Sequence, residues 1–84
     1  MIVIKKTNAV KDWAVYHRGK GKAFYALLNT TAAFADDAGD GRWHNTDPTA
    51  TEFTLGNDSE VNANNDTYVV VVIQVMVLLL TMLL

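Results

Sequence analysis

Trp13-Ala14-Val15-Tyr16-His17-Arg18 is the stretch on which the fold turns. Its residues alternate, Trp13, Val15 and His17 against Ala14, Tyr16 and Arg18. A period of two belongs to a β-strand, whose successive side chains point to opposite faces. The expectation is a strand with one large apolar face that turns Trp13 and Val15 into a core. Gly19 and Gly21 then interrupt the alternation, and Gly19-Lys20-Gly21-Lys22, which lacks the remaining glycine and the Ser/Thr of a phosphate loop, reads as a hairpin turn. On the far side, Phe24 to Leu28 forms the next strand and stops at Asn29-Thr30-Thr31, whose side chains bond nearby backbone and favour turns. Upstream, Met1 to Ile4 is a short β-branched run, and Thr7 to Asp12 is a polar loop.

Farther along, the window 31–38 holds four alanines and admits a helical turn, against which its Thr and Asp content works. Asp36 to Gly41 reads as a loop, Arg42 to His44 as a brief strand, and Asp47-Pro48 as the start of a turn. Glu52 to Leu55 alternates again before Gly56-Asn57-Asp58-Ser59 turns the chain. Short strands separated by turns at intervals of about eight to twelve residues point to a sandwich or barrel rather than to βαβ units. The expected class is all-β.

Eighty-four residues hold at most one small fold. Half of them are apolar and the formal charge is -2, a globular rather than a disordered composition. Charge is unevenly spread. Residues 1–25 carry six bases against Asp12 alone, residues 26–66 carry eight acids against Arg42 alone, and residues 67–84 carry no charge. The acidic total argues against non-specific nucleic-acid binding. The absence of cysteine removes disulfides, thiolate metal sites and cysteine nucleophiles together. No secretory signal is legible, because Met1 to Ile4 is too short a run and lysines follow it.

Seven segments, read in order, resemble a known family. Met-Ile-Val-Ile-Lys-Lys-Thr at 1–7, Trp-Ala-Val-Tyr-His-Arg-Gly at 13–19, Leu-Leu-Asn-Thr-Thr-Ala-Ala at 27–33 and Trp-His-Asn-Thr-Asp-Pro-Thr at 43–49 are the longest. Phe-Thr-Leu-Gly at 53–56, Val-Asn at 61–62 and Thr-Tyr-Val at 67–69 complete the set. In that order they are similar to a domain of bacteriophage tail and virion structural proteins, marine phages especially, of the concanavalin A-like or laminin-G-like jelly-roll class. The resemblance covers about residues 1–69 and implies a lectin-like antiparallel β-sandwich, here a fragment of one. It further implies a non-enzymatic structural or adhesion role in the virion, with other virion proteins or host-surface glycans as partners. Relatives of this kind have sequence on both sides of the matched part, so an incomplete or frameshifted reading of a longer gene is expected.

After Tyr68-Val69 the composition changes, and between Val69 and Leu84 only Gln74 and Thr81 are polar. The division expected is therefore a partial sandwich domain at 1–68 and an apolar C-terminal segment at 69–84. Valine-rich sequence favours a buried strand, but sixteen residues at about 3.3 Å each exceed the usual strand of about 17–20 Å, so only the first half is expected to pair. As a helix the run spans about 24 Å, short of the roughly 30 Å hydrocarbon core, and no basic residue flanks it, which argues against a membrane anchor. An unpaired β-branched edge also invites aggregation, so residues 1–68 alone are expected to be more soluble than the whole chain.

Few constellations carry chemistry. Asp36, Asp40 and Asp47 fall at positions one, five and twelve of a calcium-loop pattern, with Gly41 at six; Ala38 at position three has no oxygen ligand, and a solvated acidic turn is the plainer reading. Calcium is the one cofactor these residues admit. Trp43 follows Gly41-Arg42 and precedes His44-Asn45, a polar setting in which an exposed indole could stack on a sugar, making Trp43, His44 and Asn45 the candidate glycan site and a carbohydrate-binding module the alternative function. His17 and His44 lack a carboxylate at ligand spacing, Ser59 lacks a nucleophile elbow, and no pair among the acids stands out for glycoside cleavage. No catalytic residue is assigned.

Overall fold

A computed structural model of the chain describes residues 1–37 and 41–73. Within them lie five strands, β1 (Ile2–Lys6), β2 (Ala14–Tyr16), β3 (Phe24–Leu27), β4 (Ala35–Asp36) and β5 (Tyr68–Val72), and no helix. The fold is all-β. One open sheet has the order β4-β3-β2-β1-β5, antiparallel at every step. The first four strands form a meander, and β5 returns to pair along the outer side of β1, from Ile2↔Val72 to Lys6↔Tyr68. Turn chemistry sets the reversals. His17 accepts from Lys20 N and Gly21 N at 3.0 Å each, and Gly21 takes φ 82, a left-handed value that glycine adopts without steric cost.

Pairing fixes which side chains share a face. Ile2, Ile4, Ala14, Tyr16, Tyr25 and Tyr68 point to one side, where residues 41–67 cover them without adding a described strand. That covering layer lowers Trp43 and Val61 into the core, with Phe53 and Leu55 packed at its margin. Trp43 is 2% exposed, meets the Tyr16 ring edge-on at 5.8 Å, and donates from Nε1 to the Phe24 carbonyl at 3.0 Å. A buried indole needs such an acceptor, since an unpaired N–H in an apolar setting costs about 1–3 kcal/mol.

Several expectations are corrected. Within 13–18 the strand is Ala14–Tyr16; Val15 is buried as expected at 5% exposed, but Ala14 and Tyr16 join the cluster with Trp43 on the opposite face, and Trp13 is 37% exposed. Arg42 to His44 is a turn rather than a strand, because His44 and Asn45 take left-handed φ values of 51 and 46 and Thr46 N donates back to Trp43 O. Phe53 and Leu55 do face inward, but 52–55 joins no ladder. In 31–37, β4 stands where a helical turn was admitted, Ala35 pairing with Tyr25 and Asp36 with Phe24. Of the first half of the apolar segment, which was expected to pair, Val69–Val72 do lie in β5 against β1. The rest of the apolar segment, 74–84, lies outside the described residues, among which no helix is long and apolar enough to cross a membrane.

Candidate functional site

Trp43 is held in place by the residue before it. Where β4 ends, Asp37 N donates to Ala23 O at 2.8 Å and the Asp37 carboxylate turns inward, its side chain 1% exposed. It accepts from the backbone N–H of Arg42 and of Trp43, at 2.9 and 3.0 Å, and from Arg42 Nη1 at 3.3 Å. A carboxylate this deep is stable only when its lone pairs are filled in this way. Gly41 is required beside it, since a Cβ there would stand 2.2 Å from the Asp37 carbonyl oxygen.

Arg42 is the hub of the covering layer. Its Nε donates to Glu60 at 2.8 Å, its Nη1 lies 3.6 Å from Asp58, and its guanidinium stacks 3.6 Å from the Tyr25 ring centroid. Burial works against the charged guanidinium, but the bond to Glu60, the fields of Glu60 and Asp58 and the bond to Asp37 outweigh it and raise the Arg42 pKa above its ordinary value. Arg42 is thus committed to structure. The signal for it was in the sequence, as the one base among eight acids, although nothing in the linear order names which three of the eight it gathers.

A second cluster fastens β5. Lys6 Nζ meets Asp66 at 2.6 Å, Asn8 donates to the other Asp66 oxygen at 2.9 Å, and the Tyr68 hydroxyl donates to Ser59 O while accepting from Ala63 N. The hydrogen bond with Lys6, then that from Asn8, holds Asp66 below the usual carboxylate range; the same bond to Asp66 raises Lys6.

The sites expected from sequence separate in space. Trp43 is buried and cannot offer a stacking platform, while His44 and Asn45 are exposed at the turn beyond it, so the three do not make one glycan surface. Of the acids in the calcium pattern, Asp36 pairs with Phe24 on the edge strand β4 and Asp40 lies outside the described residues. Asp47 accepts the Tyr16 hydroxyl at 3.0 Å. Burial, then this bond, pushes the Tyr16 pKa up. Among the described residues no three His, Asp or Glu side chains come together as metal ligands. Asp47 does line a broad open hollow at one end of the sheet, together with His17, Arg18, Thr49, Glu52 and Val72. Its mixed charges and hydroxyls suit hydrogen bonding to a polar surface.

Comparison places these features in a family. The model of the Domain of unknown function (DUF7483) matches residues 1–74, a span that contains all five strands and the covering layer. The chain belongs to the DUF7483 family. No curated protein and no solved structure matches it. The DUF7483 match takes in both the Arg42 hub and the Lys6–Asp66 clasp, so both lie within the unit that defines the family.

Proposed function

We propose that the chain is a non-enzymatic structural module of a bacteriophage virion, one layer of a lectin-like β-sandwich that packs against other virion proteins or presents its loops to host-surface glycans. The observation that carries this reading is the second face of the sheet. By register, Val3, Val15, Ala26 and Val71 share that face with Lys5 and Asp36, Val3 and Val15 being buried, and Trp13 lies across from Leu28, whose N–H it receives at 2.9 Å. Trp13, Phe24, Leu28, Val69 and Val71 are between 37% and 61% exposed. An antiparallel sheet that faces water on one side carries mostly polar residues there, and several large apolar side chains exposed on one face mark a packing site. A sheet with two apolar faces suits the interior of a layered assembly better than an isolated unit. The seven ordered segments resembling phage virion domains supply the biological setting.

The test is physical association with particles. Peptides from residues 1–73 should co-sediment with purified, salt-washed virions in cultures where the gene is expressed. Protein abundant in the infected cell but missing from the particles would overturn the reading. A glycan array run on the same protein separates adhesion from assembly.

A further inference from the structure

The outer edge of β5 is a second feature, independent of the virion reading. Backbone direction along β5 follows from the bonds at its two ends. Met1 and Ile73 exchange both N–H···O bonds, at 2.9 and 2.8 Å, and Thr7 N donates to Thr67 O at 2.9 Å. In an antiparallel ladder such pairs alternate, so Val69, Val71 and Ile73 turn their N–H and C=O groups toward β1. Tyr68, Val70 and Val72 turn theirs outward. Among the described residues β1 is the only neighbour of β5 in the sheet.

Sheets protect an edge with charge, proline, a bulge or brevity. The opposite edge, β4, has two of these, being two residues long and ending on Asp36. β5 has none: it is Tyr-Val-Val-Val-Val, paired to β1 without a break in register, and Val69 to Val72 are 41–51% exposed. Its neutrality favours one partner. A strand with no charge offers no ion pair to a charged edge, so an uncharged strand matches it best, and the chain supplies one in every copy of itself.

We propose that β5 pairs antiparallel with β5 of a second copy about a two-fold axis at Val70, joining two five-stranded sheets into one. Val70 then faces Val70 of the other copy, and Tyr68 faces Val72, an aromatic against a β-branched side chain, which is a favourable cross-strand pair. Every outward donor and acceptor of Tyr68, Val70 and Val72 is satisfied, and the contact is isologous, so it closes at two copies. An interface of one short strand per copy is small, which makes the dimer a reversible one.

The test is sedimentation equilibrium of the full chain from about 10 µM to 1 mM, the range of weak association. The expected result is a monomer–dimer equilibrium. Val70→Pro removes one outward N–H and no bond to β1, and is expected to weaken association at least about tenfold. Should that variant fail to fold by circular dichroism, Val70→Lys and Val70→Glu decide the matter. Each alone sets like charges opposite one another and is monomeric; mixed, they restore a dimer, an outcome that requires residue 70 to face residue 70. A parent that stays monomeric throughout, because another protein or residues 74–84 of the same chain occupy the edge, overturns the proposal, as does a dimer indifferent to all three substitutions.

Discussion

Arg42 is bound to three carboxylates at once, and its replacement leaves Asp37 and Glu60 as buried charges with too few partners. Arg42→Met keeps much of the stem's packing against Tyr25 yet is expected to lose about 3–5 kcal/mol, comparable to the whole stability of a domain this small, so urea titration should find it largely unfolded. Gly41→Ala is expected to fall the same way, for steric rather than electrostatic reasons. The Lys6–Asp66 clasp gives a pH signature. Because the folded Asp66 pKa is depressed, its contribution is fully present above the ordinary carboxylate value of about 3.9 and disappears as pH falls through the lower folded value. Thermal melts from neutral to strongly acid pH should show that loss, and Asp66→Asn should flatten it. Sequence revealed the ingredients here better than the arrangement. Arg42 stood out by charge, and Asp37 passed for an exposed loop acid because its burial depends on two N–H groups whose approach only the folded turn creates.

At the scale of elements, the strands of the meander were legible because each is bracketed by turn residues, glycines after β2 and Asn29-Thr30 after β3. The facing of β2 was not. Period-two alternation gives two faces and leaves open which is inward; here the smaller Ala14 lies in the core cluster with Trp43, and the larger Trp13 is left partly exposed. The two tryptophans therefore differ as optical reporters. Trp13 is expected to be quenched by acrylamide and Trp43 shielded, so Trp13→Phe should remove most of the quenchable emission while leaving a blue-shifted residue. β5 sets where the chain can be shortened without loss. Ending the chain at Thr67 strips β1 of its outer ladder and removes the Tyr68 hydroxyl from Ser59 and Ala63, so 1–67 is expected to be less stable and less soluble than 1–73. Comparing the midpoints of the two in urea, and their soluble yields, checks it.

For the whole molecule, one open sheet is covered on one side by an irregular layer whose order comes from side chains. The class was readable from turn spacing, whereas the layer was not, since its cohesion rests on Arg42, Asp37 and Trp43 rather than on any periodic pattern. Calcium bears on this scale, because a bound ion would tie the layer to the sheet. With Asp36 on β4 and Asp47 engaged by Tyr16, millimolar calcium is expected to leave the melting temperature unchanged, and a shift of several degrees would show ligands gathered elsewhere.

The place of β1 has a consequence for the order in which the molecule assembles. β1 is made first, yet its pairing with β5 brings together residues as far apart as Ile2 and Val72. The meander can form while the chain is still being synthesised, but one side of Ile2-Val3-Ile4 stays without its strand until the valines of β5 emerge. Closing so long a loop is entropically slow, and relatively non-local pairing of this kind delays folding. In pulse-labelled refolding, amides bonded within the β2–β3 hairpin are expected to gain protection before Ile73 and Thr7, whose N–H groups report the arrival of the last strand.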